Sequence, residues 1–148
     1  MALGNVFDIA GSGMNAQSVR LNTTASNLAN AQSASSSVDD VYRARKPVFA
    51  AAHQDAMGFQ SAFGKSALEN NSQKGVEVLG IVESDAELQR RYEPHHPMAD
   101  EEGYVFYPNV NVVEEMTDMI SASRSFQVNV EVMNSAKQMV QRVLTLGQ

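Results

Sequence analysis

The sequence of 148 residues contains no cysteine, which excludes disulfide bonds, thiolate metal sites and cysteine nucleophiles. Basic side chains are also scarce: 11 lysines and arginines stand against 17 acidic residues, giving a net charge of -6. Because phosphate binding requires a basic stripe, this balance argues against a nucleic-acid partner. No run approaches the roughly 18 apolar residues of a membrane span, so we expect no direct membrane insertion.

The first residues also lack the features of a cleavable signal peptide. Residues 1–5 carry neither a basic region nor an apolar core. We therefore expect that any export of this chain uses a route that does not cleave a leader.

Large apolar side chains recur every seven residues near the N-terminus: Phe7, Met14, Leu21 and Leu28. A strict heptad keeps one side of a helix facing a partner helix. The spacing predicts a helix over about residues 6–31, with Asn5 as its N-cap. Gly11 and Gly13 each cost about 1 kcal/mol relative to alanine in a helix. We therefore expect this helix to need packing against a partner.

The polarity of this segment is mostly uncharged. In residues 1–37 the charged side chains are Asp8 and Arg20, and the other polar residues are amides and hydroxyls. Such a surface suits a helix enclosed on several sides, where charge is expensive to bury. The alternative is a flexible tail in the free monomer, and both hold if the segment is disordered alone and helical once packed.

A longer heptad occupies the C-terminus. Asn111 followed by Glu114 fits a capping box, and the sequence then predicts a helix of about 35 residues. Its d positions are Val112, Met119, Phe126, Met133 and Val140, and its a positions are Met116, Ser123, Val130, Lys137 and Leu144. The candidate subunit-interface residues of both helices are Phe7, Met14, Leu21, Leu28, Val112, Met116, Met119, Phe126, Val130, Met133, Val140 and Leu144.

The sequence between the helices predicts a small β-rich insert. Its expected parts are a linker at residues 33–40, an extended segment at 41–49 containing Pro47, a mobile loop at 50–74, a strand at 76–82, a turn at 94–103 and a strand at 104–107.

These elements give an α+β fold in which the two terminal heptad helices pack as a coiled-coil-like helical domain. We divide the chain into residues 1–32, the N-terminal helix of an inner helical domain; 33–108, the linker, loop and β-rich insert; and 109–148, the C-terminal helix. An alternative interpretation of the C-terminal segment is an ordinary globular core helix. An alternative for the whole chain is a soluble coiled-coil homo-oligomer that serves as an adaptor or secreted accessory protein.

One cluster could act as a metal or acid–base site: His95, His96, Asp100, Glu101 and Glu102. A metal site needs at least three ligands converging from rigid elements. These residues lie in one loop, and neighbouring histidines on an extended chain point in different directions. Phosphate-binding loops, nucleophile elbows and HExxH patterns are absent from the sequence. We expect a turn with solvated acids, and no catalytic site, metal or cofactor.

Several segments together resemble a known family. Residues 12–17 and 25–31 resemble the N-terminal motif shared by flagellar rod, hook and filament-junction proteins. Five further segments occur in the expected order and are similar to the short proximal-rod members of the flagellar basal-body rod family: residues 42–49, 92–100, 103–105, 108–116 and 121–127. Residues 50–74 match none of these motifs.

The resemblance implies a structural subunit and no enzyme. Proteins of this kind leave the cell through the flagellar type III export apparatus without a cleaved signal peptide. They then stack helically into the rod that crosses the periplasm, with copies of themselves and other rod proteins as neighbours. Their terminal helices line the inner tube, and the central part lies farther out.

Overall fold

Two long helices packed side by side form the main body of the computed structural model, which describes residues 2–52 and 75–146. Helix α1 spans Ala2–Asn30 and helix α2 spans Val112–Leu146. They run antiparallel, because the end of α1 lies beside the start of α2. This arrangement confirms the α+β fold with terminal helices and a small β insert. The loop expected at 50–74 is wrong for residues 50 and 51, which belong to a strand, and from residue 53 onward it lies outside the described residues.

The two helices begin differently from each other. Asn111 caps α2, since its Oδ1 accepts the N–H of Val113 at 3.1 Å, as the sequence predicted. The predicted cap Asn5 is wrong, because α1 already begins at Ala2. Ala2 and Leu3, which precede Asn5, both favour a helix, so the helix begins before the position at which the cap was predicted.

A two-stranded antiparallel ribbon lies against α1. It pairs β1, Arg45–Ala51, with β2, Val76–Glu83, and its register shifts between Val48 and Phe49. This confirms the predicted strand at 76–82 and the extended segment from Arg45 onward. Both strands are edges, so Pro47 is tolerated in β1.

The ribbon is attached to α1 at Ser12. The N–H of Val76 donates to Ser12 Oγ at 3.1 Å. Gly75 immediately before it has a φ of 114°, and a Cβ atom at that position would collide with the Ser12 side chain. A glycine is therefore required here both by the backbone conformation and by the close approach to the helix.

A second antiparallel pair, which the sequence predicted only in part, joins β3, Gln89–Tyr92, to the expected β4, Tyr104–Tyr107. Strand β3 shows no apolar alternation, and every one of its residues is exposed. Its arginines instead lie over tyrosine rings of β4: Arg90 is 4.3 Å from the Tyr104 centroid and Arg91 is 4.8 Å from that of Tyr107.

The segment predicted as a linker is fixed to this second pair. Ser35 exchanges two backbone hydrogen bonds of 3.0 Å with Phe106. A small core forms around this point from Val41, Ala44, Val105, Pro108 and Val110. In the part of the chain that the structure describes, no helix is both long and apolar enough to cross a membrane.

Candidate assembly surface

The surface where α1 and α2 pack, here called the seam, follows the predicted heptad in one row and departs from it in the other. In α2 the row of Met119, Phe126, Met133 and Val140 is half-buried. The second row against α1 consists of Glu115, Ala122, Asn129 and Ala136. It therefore lies one residue before the expected a positions.

The α1 side of the seam is also displaced by about one residue. Three cross-helix pairs define it: Gly13 with Asn129, Arg20 with Asp118, and Asn27 with Glu115. Helical periodicity then puts Phe7, Met14, Leu21 and Leu28 beside the seam. All four are half-buried.

The apolar side chains that are buried most completely along the seam are small. Among the described helical residues, the fully buried apolar side chains are the alanines at positions 10, 16, 122 and 136. Two buried polar atoms in the helix pair, Gln17 Oε1 and Glu115 Oε2, have no hydrogen-bond partner among the residues that the structure describes. Small side chains supply little hydrophobic stabilisation, and unpaired buried polar atoms reduce it further.

One fully buried side chain, Asn27, joins three parts of the chain. Its Nδ2 donates to Arg45 O at 2.8 Å and to Glu115 Oε1 at 3.0 Å. Its Oδ1 accepts from the Arg45 N–H at 2.9 Å and from Tyr42 Oη at 2.8 Å. The amide therefore links α1 to the start of β1 and to the first turn of α2. Sequence reasoning missed this role.

Burial of Glu115 perturbs its ionisation. The residue is only 5% exposed. Desolvation raises the pKa of its carboxyl from the ordinary value of 4.5, against the smaller lowering effect of the Asn27 hydrogen bond. Although Glu115 lies in the first turn of α2, its carboxyl points inward to Asn27 of α1.

Asn109 performs a similar joining role between β-strand segments. Its Oδ1 accepts the N–H of Ala44 at 2.8 Å, and its Nδ2 donates to the carbonyls of Ser84 and Ala86 at 3.2 and 3.0 Å. The ends of both two-stranded sheets are thus held to the residues that lead into α2.

Large apolar side chains remain exposed on the helix pair. The face turned away from the β1–β2 ribbon, here called the ribbon-distal face, carries Phe7, Met14, Leu21, Leu28, Val112, Met116 and Ile120. On this face, 50% of Met116 and 69% of Ile120 are exposed. Of the other interface candidates, Val130 is half-buried and Leu144 is exposed. As subunit-interface residues, all of the candidates remain predictions.

A second exposed row lies on the opposite side of α2. It occupies the C-terminal half of the helix and consists of Val128, Val132, Met139 and Val143. Helical periodicity places it on the same side of the seam as the ribbon. Val128, Val132, Met139 and Val143 therefore face the opposite direction from Met116 and Ile120. Sequence reasoning missed this row because it does not follow the heptad.

The histidine loop forms a turn. Asp100 Oδ1 accepts the N–H groups of Glu102 and Tyr104 at 3.0 and 2.7 Å, and His96 Nδ1 accepts the N–H of Met98 at 3.1 Å. Within residues 2–52 and 75–146, no group of three or more histidine or acidic side chains is arranged to hold a metal ion.

Comparison with known proteins connects both helices to one kind of protein. The family model described as "Flagella basal body rod protein" matches residues 7–32, within α1 and just beyond it. The model described as "Flagellar basal body rod FlgEFG protein C-terminal" matches residues 101–146, which include α2. Both matches fall on the elements that form the seam.

Full-length relatives extend this likeness to the β insert. The chain is 47% identical over 148 residues to the flagellar basal-body rod proteins FlgC of Escherichia coli O6:H1 and of Salmonella typhimurium, covering 100% of each. It is 35% identical to FlgC of Borreliella burgdorferi, covering 100% of this chain and 99% of the relative. Identity at this level over the helices and the insert alike shows that the chain belongs to the FlgC family of flagellar basal-body rod proteins.

Proposed function

We propose that this chain is a structural subunit of the proximal rod, assembling helically through α1 and α2. Its neighbours in this proposal are further copies of itself and other flagellar rod proteins. Membership of the rod-protein family supports the structural role. The ribbon-distal face, with apolar side chains on both helices, is the observation that supports assembly through the helices.

Contacts with neighbours would supply the burial that the seam lacks. Each Å² of apolar surface removed from water contributes about 25 cal/mol. Within the chain, Met116 and Ile120 retain half or more of their exposure. A neighbouring helix laid along this face would cover them and the flanking α1 row together.

The weak seam supports coupling between folding and assembly. Ordering the backbone costs about 1–2 kcal/mol per residue, and the alanines and incompletely buried apolar rows of the seam offset only part of it. We infer that α1 is loosely held in the free subunit and becomes firmly ordered at the growing end of the rod. Amide hydrogen exchange in residues 2–30 should therefore be fast in the monomer and slow in assembled rods.

The route, position and layout of the subunit are further parts of the proposal. The chain would leave through the flagellar type III export apparatus without cleavage of a leader and would lie in the rod where it crosses the periplasm. Residues 1–32 and 109–148 would form the inner helical domain, and residues 33–108 would lie farther out. Its task would be to transmit torque mechanically, without catalysis.

Site-specific photo-crosslinking in isolated basal bodies tests the assembly surface. We expect a photoreactive residue at Met116 or Ile120 to give adducts with other rod subunits. Glu101, in the exposed turn before β4, serves as the control position. Equal adduct yields at Glu101 and on the ribbon-distal face would contradict assembly through the helices.

A further inference from the structure

We infer that Glu115 acts as a proton-operated latch between α1 and α2: protonation of its carboxyl favours the closed helix pair, and ionisation favours opening. The inference concerns the single chain, needs no neighbouring subunit and therefore goes beyond the proposed function. It rests on the position and the hydrogen bonding of one buried carboxyl.

The carboxyl is poorly satisfied as an anion. An ionised carboxylate has about four acceptor positions. Glu115 Oε1 receives a hydrogen bond from Asn27 Nδ2 at 3.0 Å, whereas Oε2 is buried with no partner within residues 2–52 and 75–146. Burying a charge with so few donors is unfavourable, while a neutral carboxylic acid bears the same burial at much lower cost.

The charged groups around Glu115 do not fully compensate for this. From α1, Arg20 is already bound to Asp118 at 2.5 Å. From β1, Lys46 attracts the carboxylate. From α2 itself, Asp118 and Glu114 repel it.

The third cation near Glu115, Arg45, is paired with another carboxylate. Arg45 lines the same cavity of about 290 Å³ as Glu115, but its guanidinium contacts Glu83 Oε1 at 3.0 Å. Lys46 is thus the one free cation among the described residues that line this cavity. An ionised Glu115 therefore remains only partly neutralised in the closed structure.

Opening at this point releases the carboxyl to water. Glu115 contacts α1 through Asn27, which is itself fully buried. When the C-terminal end of α1 moves away, the carboxylate regains its hydration and Asn27 can keep its two bonds to Arg45. Opening of the helix pair and ionisation of Glu115 are consequently linked.

The direction of the pH dependence follows from this linkage. Because burial raises the pKa of Glu115 in the closed form above 4.5, the closed form binds the proton more tightly than the open one. The contribution of this proton to stability is complete below pH 4.5 and is lost as the pH rises through the raised pKa. Opening therefore increases from acid toward neutral pH.

Two substitutions with the same change of charge test the latch. Glu115→Gln removes the ionisation and keeps the shape, and Glu114→Gln does the same at the neighbouring exposed residue. Thermal unfolding is followed by circular dichroism between pH 5.5 and 8.0. This range lies above the isoelectric point of about 4.9, because a chain without net charge tends to associate.

We expect Glu115→Gln to raise the Tm at pH 8.0 by about 3 °C, and this advantage should shrink toward pH 5.5. Glu114→Gln should change the pH profile far less, because Glu114 makes the smallest of the contributions to the raised pKa of Glu115. Since all other ionisable groups are common to the variants, their contributions cancel in the comparison. Parallel profiles for wild type and Glu115→Gln would overturn the inference.

A local measurement covers the case in which Glu115→Gln destabilises the fold for another reason. The side-chain carboxyl of Glu115 in the wild-type chain is titrated by NMR, and amide exchange is measured near Asn27. We expect the carboxyl to titrate above pH 4.5. After correction for the pH dependence of intrinsic exchange, amide exchange around Asn27 should be at least threefold faster at pH 8.0 than at pH 5.5. Titration at or below 4.5 would overturn the latch.

Discussion

Gly13 of α1 lies so close to α2 that a Cβ atom on it would be 2.9 Å from Asn129 Nδ2. Gly11, two residues earlier in α1, has no described atom within 4 Å of the place where its Cβ would be. The two glycines look equivalent in the sequence, since both weaken a helix. The structure separates them: one permits helix packing, and the other has no packing role.

Alanine at the two positions should have different effects. We expect Gly11→Ala to raise the free energy of unfolding by about 1 kcal/mol, because alanine favours the helix and meets nothing. Gly13→Ala should gain less, because Asn129 must move away. The full gain should return in Gly13→Ala combined with Asn129→Ala. Urea unfolding of the wild type and these three variants measures this, and equal gains from both single glycine substitutions would contradict the close approach.

Asn27 should be the most sensitive amide in α1. Asn27→Ala leaves the backbone of Arg45, Tyr42 Oη and Glu115 without their partner, and we expect a loss of about 3 kcal/mol in the free energy of unfolding. Asn30→Ala is the control, because Asn30 Nδ2 bonds locally to Ser26 O at 2.8 Å. Its loss should be below about 1 kcal/mol. Similar losses for the two would refute the joining role of Asn27.

Charge placed inside and outside the seam should separate folding from assembly. Phe126→Asp puts a carboxylate into the half-buried row and should destabilise the monomer by about 3 kcal/mol, as well as block incorporation into the rod. Ile120→Asp, at a residue 69% exposed, should change monomer stability by less than about 0.5 kcal/mol yet still impair incorporation.

Urea unfolding and swimming in soft agar, in a strain lacking its own copy, distinguish the two effects. Normal swimming with Ile120→Asp would count against the ribbon-distal face as an interface. Normal swimming with Phe126→Asp would count against the seam itself.

The ion pair between Arg20 and Asp118 should contribute modestly to the free energy of unfolding, and this contribution should depend on the salt concentration. Their side chains are 29% and 42% exposed, so water screens the interaction. A double-mutant cycle with Arg20→Gln and Asp118→Asn should give a coupling of about 0.5 kcal/mol that falls as ionic strength rises. A coupling that is insensitive to salt would indicate that the pair is more enclosed than its exposure implies.

The sequence was sufficient to predict the helices, because their heptads contain enough large apolar residues to fix a period. It was also sufficient for the α2 cap at Asn111, where the side chain and the following acidic residues agree. The exact rows of the seam were not predictable in this way. Period analysis looks for bulky apolar residues, whereas this seam uses Ala122, Ala136 and polar side chains that allow the helices to approach closely.

The β insert was predictable only where side chains alternate or turns are marked. Strand β3 escaped because its stability comes from arginine–tyrosine contacts with β4, which depend on a pairing that the sequence does not reveal. Asn27 escaped for a related reason. An asparagine within a helix is ordinarily unfavourable, and its value here comes from Arg45 and Glu115, which are distant in the sequence.

The antiparallel course of the two helices also determines how the chain responds to force. The start of α1 and the end of α2 lie at the same end of the pair. Tension applied between them therefore separates the helices one cross-helix contact at a time, instead of loading all the contacts together. The force needed is then set by the strength of one cross-helix contact at a time. The buried amide at the far end is reached last, and it forms the final anchor to give way.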